Sequence, residues 1–147
     1  MKRLYLDVCT LCRPFDNQNL MRIRFETDAY YLILDGIQRK KYEMIVSPVH
    51  YKEIESIEDV REKVQVLELL SAYGIQSNYD ADKVKKRAEE LISFHFGTAD
   101  AVHLAFAERS SDYFITCDDK LIKRSRKIKL DLVVTNPVEF CINEELK

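Results

Sequence analysis

A chain of 147 residues is long enough for one domain with a real core and short for two. Its 46% hydrophobic and 33% charged residues describe a soluble globular protein and exclude a disordered one. A net charge of −2 and a pI near 6.0 carry no global nucleic-acid signature, although a local basic patch is compatible with them. With 3 Gly and 3 Pro there is no glycine-rich phosphate loop, and neither GxGxxG nor GxxxxGK[ST] occurs. No apolar run approaches the roughly 18–20 residues of a membrane span. The opening residues 1–8 lack the apolar stretch of a signal peptide, so a cytoplasmic location is expected. Cys9 and Cys12 form a CxxC, but Cys117 and Cys141 supply no second pair at zinc-like spacing. Reduced thiols are therefore preferred over a structural zinc or a redox pair.

In chain order, Arg3–Val8 reads as a first strand that reaches Asp7, and Pro14, Asp16, Asn17 and Asn19 punctuate the loop after it. Helical periodicity runs from Leu20 to Arg39 through Ile23, Ala29, Tyr30, Ile33, Leu34 and Ile37. Glu43–Ser47 is a second strand, and Ser47-Pro48 starts a helix with Ser as cap and Pro at its first position. That helix carries Glu53. Val60–Tyr73 is an amphipathic helix closed by Gly74, Ile75–Tyr79 is extended, and Asp80–Phe94 is helical again. Gly97 ends that helix, and an apolar helix beginning near Asp100 follows. Strand Tyr113–Cys117, a basic helix from Lys120 to Lys127, strand Leu132–Thr135 and a helix after Pro137 complete the order. Short strands separated by helices predict parallel βαβ units: one domain over residues 1–147, an α/β/α sandwich around a short parallel sheet.

The chemistry-bearing residues in this order are acids. Asp7 ends the first strand, Asp118 and Asp119 follow a later one, and strand C-terminal ends share the edge where open α/β sheets hold ligands. Glu53 follows the second strand, and Asp100 opens a helix apolar enough to make an unneutralised carboxylate costly. Two carboxylates 4 Å apart repel by roughly 1 kcal/mol in water and about 4 kcal/mol at an effective dielectric of 20. Convergence would therefore demand a cation or shifted pKa values. An all-oxygen set suits Mg2+ or Mn2+ better than zinc, and such ions serve phosphodiester hydrolysis. From pattern alone the alternative stands beside this: Asp7 a turn acid, Glu53 a solvated helix residue, Asp118 a helix N-cap.

The segments YLDVCTLCRPFDNQ, SPVHYKEIE, ADAVHLAFAE, DYFITCDDKLIKRS and VVTNPVEF resemble the PIN domain, a small metal-dependent nuclease family that includes the toxin ribonucleases of toxin–antitoxin pairs. The resemblance covers nearly the whole chain with the blocks in the family's order. It implies a PIN-like fold and a Mg2+- or Mn2+-dependent endoribonuclease with Asp7, Glu53, Asp100 and Asp118 as catalytic metal ligands. It further implies Asp119 as a weaker candidate, Thr116 and Ser47 as donors that orient carboxylates, RNA as substrate, an antitoxin as partner and a homodimer or higher homo-oligomer. Cys9 departs from the family, where many toxins carry a short polar residue two positions after the first acid.

Around this set, Arg13 could grip a scissile phosphate or pair with Asp16 to shape its loop. His103 reads as a hydrogen-bonded core or interface histidine in preference to a metal ligand or general base. The run Lys120, Lys123, Arg124, Arg126, Lys127, Lys129 could follow an RNA backbone or be a solvated face. Phe25, Tyr30 and Tyr31 serve a dimer face or the core. Two alternatives to an endoribonuclease stay open: a catalytically weak PIN-like module that binds nucleic acid or protein, and a DNA-directed nuclease of related fold.

Overall fold

The computed structural model describes residues 1–147 and has five parallel strands in the order β3-β2-β1-β4-β5. The strands are β1 (Lys2–Leu6), β2 (Tyr42–Val46), β3 (Gly74–Gln76), β4 (Tyr113–Ile115) and β5 (Val133–Thr135). The helices are α1 (Val8–Leu11), α2 (Met21–Gln38), α3 (Pro48–Ile54), α4 (Val60–Tyr73), α5 (Ala81–Ser93), α6 (Thr98–Ser110), α7 (Asp119–Ser125) and α8 (Pro137–Asn143), with a 3-10 turn at Arg13–Phe15.

Strand alternation sorts the core into two layers. Leu4 and Leu6 of β1, Tyr42, Met44 and Val46 of β2 and Ile115 of β4 face the layer built by α2, α4 and α8. Tyr5, Ile45 and Phe114 point the other way, onto α5, α6 and α7. The result is the three-layer α/β/α sandwich expected from the sequence. No helix is long and apolar enough to cross a membrane.

Several boundaries differ from the sequence-based expectation, each for a local reason. The first strand stops at Leu6 because Asp7 turns away as the N-cap of α1, a short helix the apolar run had hidden. Tyr113–Cys117 shortens to Tyr113–Ile115, since the Thr116 amide makes the last bond to β5, at the Thr135 carbonyl (2.9 Å), and Asp118 then caps α7. Gly74 closes α4 as expected, its amide donating to the Leu70 carbonyl, but it does more than cap. Its φ is −71° and it already begins β3, pairing with Met44. The reason for glycine there is space: an added Cβ would lie 2.5 Å from the Leu70 carbonyl oxygen and 2.9 Å from Val46 Cγ1. The reversal after α5 falls on His95, at φ 73°, two residues before Gly97.

The connections define the crevice. From β1 the chain passes to α1 and α2 on one face of the sheet, whereas from β4 it passes to α7 on the other. Because β1 and β4 are neighbours, their C-terminal ends part around an opening, the place where doubly wound sheets bind ligands. Crowding at Gly74 gives the first prediction. Gly74→Ala is expected to cost about 1–3 kcal/mol in urea unfolding by overpacking α4 against β2; an unchanged midpoint would contradict the contact.

Candidate active site

Asp7 stands at the C-terminal end of β1. Its Oδ1 accepts hydrogen bonds from the Thr10 amide (3.1 Å), the Thr10 hydroxyl (2.8 Å) and the Cys9 thiol (3.1 Å). Its Oδ2 accepts from the Thr116 hydroxyl at 2.5 Å. The residue is 8% exposed, and burial pushes its carboxyl upward against the pull of these donors. Cys9 thus supplies a donor at the position where the sequence departs from the resemblance. Contact with Cys117, with the Asp7 charge beside it, raises the thiol's pKa, so it stays protonated and able to donate.

Thr116 joins this acid to the next. While its hydroxyl donates to Asp7, it accepts from the Asp118 amide (3.1 Å). Asp118 is exposed, and its Oδ1 caps α7 through the amides of Lys120 (3.0 Å) and Leu121 (3.2 Å). The N-cap alternative for Asp118 is therefore realised, and the residue also faces the crevice: its charge is the leading electrostatic influence on Asp100.

Asp100 lies in the first turn of α6, whose Ala101, Leu104, Ala105 and Ala107 are fully buried. Its carboxyl is pushed up first by burial, then by Asp118, Asp7 and Glu53. Every influence on it is burial or charge, and no hydrogen bond neutralises it. Three of the acids expected from the sequence, Asp118, Asp7 and Glu53, thus lie near enough to raise the fourth, Asp100. Asp119 is instead paired with Arg22.

Glu53 is held on a chain of buried groups. Its Oε1 accepts from His103 Nε2 (2.8 Å), His103 Nδ1 lies 2.5 Å from the Tyr5 hydroxyl, and that hydroxyl is 2.7 Å from Ser47 Oγ. Tyr5, Ser47 and His103 are at most 2% exposed. The His103 hydrogen bond holds the Glu53 carboxyl below the usual range. His50 packs beside this chain, its ring centroid 4.5 Å from Tyr5 and 5.3 Å from His103. Its Nδ1 accepts from the Ser47 amide (3.0 Å), so Nε2 carries the proton and donates to the Leu6 carbonyl (2.7 Å). Burial lowers its pKa to about 4, which keeps this strand-linking imidazole neutral at physiological pH.

The remaining candidates are committed elsewhere. Arg13 donates from Nη1 to Asp16 (2.9 Å) and from Nε to Glu26 (3.1 Å), which is the loop-shaping arrangement. Glu26, 3% exposed, also meets Arg22 at 3.5 Å, and a buried carboxylate needs such pairing. Arg22 then grips Asp119 through both terminal nitrogens (2.6 and 2.8 Å) and the Cys117 carbonyl (3.2 Å). Of the basic run, Lys120, Lys123, Arg126, Lys127 and Lys129 are exposed, while Arg124 lies over the Phe96 ring. Tyr30 is buried in the core, whereas Phe25 and Tyr31 are about half exposed, at 52% and 53%.

No protein-family model and no curated protein matches this sequence. Solved structures do match in fold. FitAB bound to the IR36 DNA fragment is 17% identical, over 92% of this chain and 95% of that one, with a TM-score of 0.57. FitAcB from Neisseria gonorrhoeae is 17% identical over 91% and 97%, with a TM-score of 0.54. VapBC2 from Rickettsia felis, bound to a DNA fragment from its promoter, is 14% identical over 90% and 98%, at 0.58. These are toxin–antitoxin complexes whose toxins are PIN-domain proteins. The chain has a PIN-domain fold.

Within that PIN fold, sequence reasoning overlooked Tyr5, His50, Arg22 and Glu26. His50 carried a usable signal, because it sits three residues after the cap Ser47, where a capping box places a side chain that reaches back. Tyr5 carried none, since an aromatic residue in a buried strand reads as core. The donor set of the PIN crevice fits a hard divalent ion: its side chains offer oxygens, and Asp100 has no neutralising partner. No three acid, histidine or cysteine side chains are drawn together as a finished cage. Mg2+ tolerates this, because it keeps several waters and uses one or two carboxylates.

An unrelieved Asp100 has a consequence for stability. Its raised carboxyl means that at neutral pH the folded state carries a charge the unfolded chain holds more easily. Asp100→Asn is therefore expected to raise the thermal midpoint at pH 7. The gain should shrink on acidification and vanish well below 3.8, the ordinary value, where both states are protonated. Thermal melts of the two proteins from pH 3 to 8 measure this.

Proposed function

We propose that residues 1–147 form a single nuclease domain, a Mg2+- or Mn2+-dependent endoribonuclease that hydrolyses RNA phosphodiester bonds. The carrying observation is the Thr116 bridge between Asp7 and Asp118 at the parting of β1 and β4, beside an Asp100 that no hydrogen bond neutralises and that Asp118, Asp7 and Glu53 push up. Asp7, Glu53, Asp100 and Asp118 hold the ion. Bound there, a hard divalent ion would supply water activation and charge stabilisation at the scissile phosphate. Thr116 fixes the Asp7 carboxylate, and Ser47 anchors the group of side chains behind Glu53. Arg13 and Asp119, each held in an ion pair, shape the rim of the crevice. Exposed Lys120 and Lys123 on α7, beside Asp118, meet the RNA backbone electrostatically.

The likeness to FitAB, FitAcB and VapBC2 supports a further reading of this chain as a cytoplasmic toxin restrained by an antitoxin. Half-exposed Phe25 and Tyr31 on α2 support self-association. One observation favours a second reading, a catalytically weak binding module: the acids do not form a finished cage.

Cleavage of a labelled single-stranded RNA separates the two. With Mn2+ or Mg2+ the protein is expected to cut, EDTA to abolish cutting, and Asp7→Asn or Asp100→Asn to lower the rate by at least about 100-fold with circular dichroism unchanged. Full activity in both variants would overturn the site. No cutting together with no Mn2+ binding in calorimetry would favour the module.

A further inference from the structure

We propose that Tyr5 and His103 are positioning residues that fix Glu53 in its ion-holding orientation, through a directional hydrogen-bond chain beginning at Ser47. This rests on the reading of Glu53 as an ion-holding acid.

The direction follows from donor and acceptor counts. Glu53 is a carboxylate and only accepts, so His103 Nε2 carries the proton of their 2.8 Å bond. In a neutral imidazole Nδ1 is then a bare lone pair, and the Tyr5 hydroxyl at 2.5 Å must donate to it. Tyr5 has spent its one proton there, so the Ser47 hydroxyl at 2.7 Å donates to Tyr5. The order is Ser47 to Tyr5 to His103 to Glu53, every link donating towards the carboxylate.

Each member comes from a different part of the fold. Ser47 follows β2, Tyr5 lies within β1, His103 is on α6 one turn beyond Asp100, and Glu53 is on α3. Glu53 is the outermost and only half-buried member, and the chain behind it is sealed from water. A side chain with three rotatable bonds would otherwise sample many positions beside the crevice. Tyr5 is further locked by stacking on Phe114 at 5.4 Å between ring centroids and by the His50 ring. The core of the sheet thus sets the aim of an acid at its edge. Outer hydrogen-bond partners of metal-holding groups commonly change affinity by about 10- to 100-fold when removed.

A double-mutant cycle on Mn2+ affinity, measured by calorimetry on the full chain, tests this. Tyr5→Phe keeps the ring and removes the relay proton. It is expected to weaken Mn2+ binding about 10-fold in the natural background and to have no further effect when Glu53 is already Gln. A merely structural Tyr5 would cost the same in both backgrounds, which would overturn the proposal. Should Glu53→Gln leave Mn2+ affinity intact, the reading of Glu53 as an ion-holding acid itself falls. If Glu53→Gln weakens binding and Tyr5→Phe does not, only the positioning role falls. Nitrogen-15 NMR of the unsubstituted protein adds a readout that no folding defect can obscure: His103 is expected as the neutral Nε2–H tautomer, and a proton on Nδ1, in the other tautomer or in an imidazolium, would refute the chain.

Discussion

The Thr116 hydroxyl spans the gap between two strand ends, giving its proton to Asp7 and taking one from the Asp118 amide. Around this contact the remaining geometry is set. Asp7 can be buried because four donors from Cys9, Thr10 and Thr116 converge on its two oxygens. Asp118, its amide held by the Thr116 hydroxyl, caps α7. Both acids do structural work as helix N-caps while presenting charge to one crevice, so the local rules that end the strands also build the site. Asp100 and Glu53 then complete the acid group from α6 and α3.

Much of the fold was legible because the elements obey local rules. Val60–Tyr73 has the expected limits, bounded by Asp59, whose Oδ1 accepts from the Glu62 amide. The parallel sheet followed from strands too far apart in sequence to form hairpins. Gly74 closes α4 as expected, its amide donating to the Leu70 carbonyl, and what the sequence hid is that the same residue begins β3 against β2. Strand ends were overrun by one or two residues at Asp7 and Cys117, since propensity follows apolar side chains and is blind to the carboxylate that takes over the backbone.

The acids were visible singly through their spacing, and their meeting required topology. That β1 and β4 are neighbours depends on a crossover through α5 and α6, which no local pattern encodes. The histidines mark the other limit. His103 was read as a hydrogen-bonded residue without partners, because Tyr5 and Glu53 lie 98 and 50 positions away. Arg22 and Glu26, one helical turn apart on α2, form an ordinary pair in sequence. Only the fold brings Asp119 to them and turns the pair into a strap from α2 to the β4–α7 turn.

The two outermost strands, β3 and β5, are each three residues long. So short an edge offers another chain only a few backbone hydrogen bonds, too little to template sheet extension. The same brevity guards the chain, before any partner is met, against the edge-to-edge stacking that turns exposed sheets into aggregates.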